Sequence, residues 1–387
     1  MKVVICGAGI AGLALAQRLD TLGWDVVVLE KAPGPRMQGY MIDFFGPGYD
    51  AAEAMGILPR LQQLAYPVRE VASIDHTGRT RARLTYDQFS RAVRGRLLSL
   101  MRPDLERALR ESLSDRIDLR FSTSLRHIDN TPTGVHLTLT DGTPLAADLL
   151  VGADGIHSTV RTMEFGAEER FLRYLGLHTA AFVFDAPDLH ERIGDRFCLT
   201  ESVGRQMGFY GLRDGRVATF TVHRTPDPTV PADPRDVLAR RYSGLGWVTA
   251  EALDRCPPSD HIYYDQVAQI DLPAWSRGRV ALLGDACQAV SLLAGQGASL
   301  ALAGAYLLAG ELDRATTIEA ALDRYEQSWR PLVTDRQRTA RNAARWFVPD
   351  STWQLHIRRA FLKATRLPVV NRYVGQVLAG KTAKLPI

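Results

Sequence analysis

The chain has 387 residues, enough for two core-forming units or one large unit with an insertion, because single cores seldom grow beyond about 250–300 residues. Its 47 basic and 43 acidic residues leave a net charge of only +4, so no global charge excess points to a nucleic-acid partner. Cys6, Cys198, Cys256 and Cys287 form no C-x-x-C pair and have no histidine at ligand spacing, so neither a disulfide framework nor a metal site is signalled, which fits a reducing cytoplasm.

Residues 3–16, VVICGAGIAGLALA, admit two readings: the apolar core of a secretory signal peptide behind Lys2, or a seat for phosphates. Three glycines interrupt the run, whereas a signal peptide's apolar core is continuous. Val3 to Cys6 suits a buried parallel strand, Leu13 to Leu22 has helical apolar spacing, and Asp25 to Leu29 is a second buried strand ending at Glu30. Gly7, Gly9 and Gly12 stand between strand and helix in G-x-G-x-x-G order. They serve in turn a tight bend, close approach to a pyrophosphate, and helix–strand packing. The helix start offers unpaired N–H groups and a positive dipole end to the phosphates. Glu30 is placed to bond a ribose hydroxyl and argues against a 2′-phosphate, so FAD or NAD outranks NADP at this seat.

Further along, Val71 to Leu84 reads as strand that joins a later sheet. The stretch DLLVGADGIHSTVR, residues 148–161, is a buried strand running into Asp154-Gly155 and then a helix. Residues 171–274 alternate or run apolar between turn signals, which predicts an antiparallel sheet. Phe182, Phe184, Met207, Phe209, Tyr210, Phe220 and His223 on it are candidates for a flat apolar pocket suited to an aromatic molecule. Residues 278–312 give another buried strand ending in Gly284-Asp285, then a loop, then Gly295-Gln296-Gly297 opening an apolar helix. Residues 286–310 carry no charge and are long enough for a membrane span, but glycines and polar residues dilute them, so a buried helix is the expectation. The tail reads as basic helical segments interrupted at Pro368. Arg358, Arg359, Lys363 and Arg366 are expected on a solvated face of a helix capping the domains rather than on a membrane.

Three ordered motifs, the glycine fingerprint with Glu30, Asp154-Gly155 and Gly284-Asp285, resemble the single-component flavin-dependent monooxygenases, the aromatic-hydroxylase family built on the para-hydroxybenzoate hydroxylase fold. SLLAGQGASLALAGAYLLAGEL and GYMIDFFGPGYDAAEAMGIL look most like the branch of tetracycline-inactivating monooxygenases and their actinobacterial relatives. The resemblance implies an α/β fold. A Rossmann-like FAD-binding domain with a parallel sheet spans residues 1–70, 100–170 and 275–330, an inserted antiparallel substrate sheet 71–99 and 171–274, and C-terminal helices 331–387.

It also implies roles. Arg102, in MRPDLERAL, matches an arginine that opens a helix beside the flavin; Lys31 lies next to Glu30, and Leu125 near the adenine. Asp285 matches the acid on ribityl or ribose hydroxyls, and Gly295, Gln296 and Gly297 the helix start under the isoalloxazine. Asp154 and Arg161 match a motif shared between FAD and a passing nicotinamide cofactor. The implied chemistry uses noncovalent FAD, NADPH or NADH as transient co-substrate, and O2 through a flavin C4a-hydroperoxide. One oxygen then goes to an aromatic, polycyclic or polyketide-like small molecule. Cys287, Gln288 and Leu292 depart from the Ala, His and Pro common in a loop that faces the reacting edge, and Phe45 from an Arg common in that branch. Two rivals stand: a structural flavin serving a non-redox cyclisation, prompted by the altered loop at Gln288 and Leu292, and a membrane-bound or regulatory binding protein, prompted by the uncharged 286–310 run and the basic tail.

Overall fold

Valine-rich Lys2–Cys6 and Asp25–Leu29 pair in parallel at the centre of a six-stranded sheet, buried on both faces as a parallel sheet requires. Leu149–Gly152 and then Val280–Leu282 extend it in parallel on one side and Asp118–Arg120 on the other, with Ser276–Arg277 as a short antiparallel edge. The carboxyl ends of Lys2–Cys6, Leu149–Gly152 and Val280–Leu282 thus lie side by side and carry the three motifs. This computed structural model describes residues 1–36, 38–292 and 295–364.

A seven-stranded sheet forms the second layer, in the order Tyr263–Ile270, Leu172–Phe184, Val217–Arg224, Arg205–Gly211, Arg196–Ser202, Glu70–Ile74, Thr80–Thr85. It departs from the antiparallel expectation at one junction, where Arg196–Ser202 runs parallel to Glu70–Ile74. Those two strands are contributed by separate passages of the chain, so no hairpin dictates an antiparallel pairing there.

The uncharged stretch 286–310 is not one helix. It contains the end of a short turn, Asp285–Gln288, a loop, and most of the helix Gly297–Arg314, whose leucines and alanines are buried against the first helix, Ile10–Thr21. Among the described residues no helix is long and apolar enough to cross a membrane. The 30-residue helix Ile318–Phe347 starts on the main core with Leu322, Tyr325 and Trp329 and ends beside the large sheet with Phe347 and Val348. The basic face expected on the following helix, Thr352–Ala364, is docked rather than solvated at two positions. Arg358 and Arg359 both pair, at 3.3 Å, with Glu201 of the sheet, and Arg358 also bonds Gln206. Arg366, Pro368 and the side chain of Lys363 lie outside the described residues.

Candidate active site

Each glycine of the opening loop has a separate geometric reason. Gly7 sits at φ +107°, and a Cβ there would fall 2.4 Å from the carbonyl oxygen of Ala153. A Cβ on Gly12 would lie 1.9 Å from the carbonyl oxygen of Gly7, so only glycine lets the helix pass this close. A Cβ on Gly9, by contrast, would meet only Glu106 Oε1 at 3.6 Å and Arg102 at 4.0 Å, leaving open space in front of the helix Ile10–Thr21. That helix start has no side-chain cap, so its first N–H groups remain available to phosphate.

A groove of about 890 Å³ runs out from this loop, lined by Glu30, Lys31, Arg102, Leu125 and Asp154 among others. The Glu30 carboxylate accepts from the N–H of Ala8 and of Ala32, both at 2.9 Å, so it also fixes the glycine loop that it closes. Leu125 is 5% exposed and contributes apolar wall.

A second cavity, about 1020 Å³, shares Gly9, Arg102, Ala153 and Gly155 with the first, so the two are continuous. Arg102 stands at the join, at the start of the helix Arg102–Glu111, held by Glu106 at 2.8 Å. Asp285 lines the second cavity; the surrounding protein pushes its carboxyl up from the usual range while Arg102 opposes that shift. The helix Gly297–Arg314 points its start here. A Cβ on Gly297 would find nothing nearer than Asp285 Oδ1, at 4.0 Å. Gly295 and Gly297 are on the lining, whereas Gln296 is buried and off it. An anion seat at Gly9, an acid for hydroxyls at Glu30 and another at Asp285, and a second uncapped helix start fit an extended FAD.

Of the two residues that the resemblance assigns to a motif shared by FAD and a passing nicotinamide cofactor, Asp154 lines the groove and Arg161 does not, and both side chains have partners within the protein. Asp154 takes bonds from Ser158 Oγ at 2.5 Å and from the N–H of Thr159 and Val160, capping the helix Thr159–Glu164. Arg161 is 0% exposed. Its guanidinium donates to the carbonyls of Ile156 and Ala286 and pairs with Glu168 at 2.8 Å, bracing one ligand loop against another.

The apolar candidates divide by strand parity. Phe220 and Tyr210 face the cofactor side: Phe220 packs at 5.3 Å on Tyr40, which packs at 5.6 Å on Tyr263, and Tyr40 and Tyr263 line the second cavity. Tyr210 accepts from the N–H of Met41 at 2.7 Å and so supports that wall from behind. Phe182, Phe184, Met207 and Phe209 project to the opposite face and pack with Leu238, Tyr242 and Ala252 of the helices Pro234–Tyr242 and Thr249–Asp254. They are core, not pocket. His223 is on that face too, 3.1 Å from the Tyr242 hydroxyl, and burial, with Arg241 and His178 nearby, lowers its pKa to about 3. It stays neutral and does no acid–base work near pH 7.

The loop after Asp285 likewise splits. Leu292 lines the cavity, but Gln288 is 3% exposed and absent from the lining. A Cβ on Gly304 would sit 3.2 Å from Gln288 Nε2, 3.0 Å from the Tyr325 hydroxyl and 2.9 Å from Trp329 Nε1, which locates the Gln288 carboxamide beneath the loop. Cys287 is buried and directs its thiol at the Leu282 carbonyl. Phe45 packs with Val93 and Leu97 and lines neither cavity. Sequence reading passes over Tyr40, Tyr263, Asp265 and Gln266, all on the cavity. The usable signal is the alternation Tyr263, Asp265, Val267 in an edge strand ending beside the glycine-rich loop.

A family model described as FAD binding domain matches residues 1–340. The flavin-dependent monooxygenase eupH of Phoma sp is 31% identical over 384 residues, covering 91% of this chain and 89% of that protein. An uncharacterized protein of Mycobacterium tuberculosis is 35% identical over 325 residues, covering 81% of this chain and 85% of its own length. The crystal structure of tetracycline destructase Tet(55) superposes with a TM-score of 0.83 at 26% identity, over 100% of this chain and 98% of that one. Klebsiella pneumoniae HpxO complexed with FAD and uric acid gives 0.80 at 23% identity, over 99% and 98% of the two chains, a likeness of fold. With the groove, the glycine cradle and a family match across residues 1–340, the chain belongs to the FAD-binding-domain family and, within it, to the flavin-dependent monooxygenases.

Proposed function

We propose that this chain uses NAD(P)H and O2 to insert one oxygen into a flat aromatic, polycyclic or polyketide-like molecule, in a reducing cytoplasm. The observation that carries the reading is the second cavity. It continues from the cofactor groove and is walled by Tyr40 and Tyr263, with Phe220 behind, which favours stacking with a planar ring. FAD supplies the redox chemistry when bound. The chain's own part is to seat the phosphates at Gly9, hold hydroxyls at Glu30 and Asp285, and present the helix start at Gly297 to negative charge. Leu292, Val267 and Phe347 belong to an apolar cluster at the cavity's edge, which keeps water from the reacting centre. Four buried, unpaired cysteines suit the reducing compartment.

The test is a screen of aromatic polyketides for stimulated NAD(P)H oxidation, followed by labelled-oxygen incorporation with the substrate found. The expected outcome is one labelled oxygen per product, with peroxide a minor product. Product that forms at an equal rate without O2 and NAD(P)H, and without label, overturns oxygenation in favour of a non-redox cyclase with structural flavin.

A further inference from the structure

His157 lies on the loop after Asp154, with its imidazole held between two carboxylates. Nδ1 is 2.9 Å from Glu168 Oε1 and Nε2 is 3.2 Å from Asp265 Oδ1. A ring that meets an acceptor at each nitrogen must donate from both, which only the imidazolium does. The hydrogen bond to Asp265 foremost, then that to Glu168, outweigh partial burial and lift its pKa to about 9.

The charges facing this ring come from three elements. Asp265 is on the strand Tyr263–Ile270, Glu168 on the turn Glu168–Arg170, and behind Glu168 stands Arg161 of the helix Thr159–Glu164, paired with it at 2.8 Å. Two carboxylates therefore meet two cations. Of the four, Asp265 lines the second cavity, and its charge acts on Tyr40, Tyr263 and Asp285 there. Arg161 is committed to Glu168 and to the Ala286 and Ile156 carbonyls, so it cannot serve Asp265 as well. Among the described residues, His157 is the cation paired with it, at 3.2 Å.

We propose that His157 is the counter-ion of Asp265 in the cavity wall: its imidazolium cancels that carboxylate, so that this side of the wall does not oppose negative charge on a bound flavin or on an anionic substrate, while Arg102 faces Asp285 on the same cavity. Reduction of FAD places negative charge on the ring system, and an uncompensated carboxylate on the cavity wall disfavours that state. This role depends on FAD occupying the cavity but not on the oxygenation reaction.

The experiment measures the midpoint potential of FAD bound to the full chain, from neutral to alkaline pH, in wild type, His157→Gln, Asp265→Asn and the double variant. His157→Gln should make the flavin harder to reduce at neutral pH, and adding Asp265→Asn should restore the wild-type potential, because the charge needing a partner is gone. Beyond the fall with pH that proton-coupled flavin reduction imposes on every variant, the gap between wild type and His157→Gln should close as pH rises through about 9, and in Asp265→Asn, where Glu168 alone holds the imidazolium, the matching break should move to lower pH. An unchanged potential in His157→Gln overturns the proposal. So does a potential lowered as far by Asp265→Asn as by His157→Gln, which would make the bridge a mechanical strap. If His157→Gln does not fold, the pH comparison of wild type with Asp265→Asn decides alone. FAD-loaded protein that incorporates no labelled oxygen would defeat the oxygenase reading, while the potentials would still decide the role of His157.

Discussion

Gly297 and Asp285 face each other across space that no side chain fills, 4.0 Å from a Cβ that Gly297 lacks. Gly297→Val would push two methyls into that space while leaving Gly7, Gly9 and Gly12 able to seat a pyrophosphate. FAD affinity should fall at least about tenfold, or about 1.4 kcal/mol, with thermal stability of the apoprotein nearly unchanged. Fluorescence titration of apoprotein with FAD, beside a melting curve, checks both halves; wild-type affinity would show that the flavin lies elsewhere. Asp285→Ala removes a carboxylate that lines the same space and should weaken FAD by about 1.5–3 kcal/mol, the range for hydrogen bonds to a charged group. The two losses should not add, since both act on one patch of the cofactor.

At the scale of elements, the sequence is most legible where one residue type has one steric reason. The glycine loop, the strands that carry it and the uncapped helix starts follow from local chemistry, and the paired motifs follow from parallel strands delivering their carboxyl ends side by side. What is not legible is which face of a sheet meets the ligand. Phe182, Phe184, Met207 and Phe209 are as apolar as Phe220, and only the register, Phe182 opposite Thr219 and Ala181 opposite Phe220, assigns them to opposite sides. The surroundings of Arg161 are illegible for a related reason. Its position in the motif is compatible with an exposed ligand group, but the burial that turns it into a brace comes from Glu168 and Ala286, remote in the chain or outside the motif. Arg161→Ala should therefore lower stability by several kcal/mol, at about 1–3 kcal/mol for each buried acceptor left unpaired. Arg161→Lys should recover part of it. Were Arg161 instead a nicotinamide ligand, the alanine variant would melt like wild type and show only a raised KM for NAD(P)H.

Across the whole molecule, the long helix Ile318–Phe347 connects the main core to the large sheet, and the helix after it is pinned to that sheet. Gln337 donates from Nε2 to the carbonyls of Ile270 and Ala289, and Gln269 donates to that of Val290, so the middle of this connection also fixes the loop beside the cavity. The pin is Glu201, whose side chain is 1% exposed between Arg358 and Arg359. Glu201→Ala would leave two guanidinium groups facing a buried site with no acid to meet them, and breaking a buried pair from one side costs about 3–5 kcal/mol, toward the low end here because both arginines keep some contact with water. That cost falls on the docking of one helix, not on the parallel sheet that carries Gly7, Glu30 and Asp285. The expected result is early proteolytic cleavage near Thr352–Ala364 in Glu201→Ala, with FAD affinity within about twofold of wild type, a difference of about 0.4 kcal/mol. Glu201→Gln, which keeps the shape and two hydrogen-bonding atoms, should fall between the two. Cleavage at the wild-type rate in Glu201→Ala would mean that apolar contacts alone hold this helix, and a matching loss of FAD would mean that the two ends of the molecule are not separable.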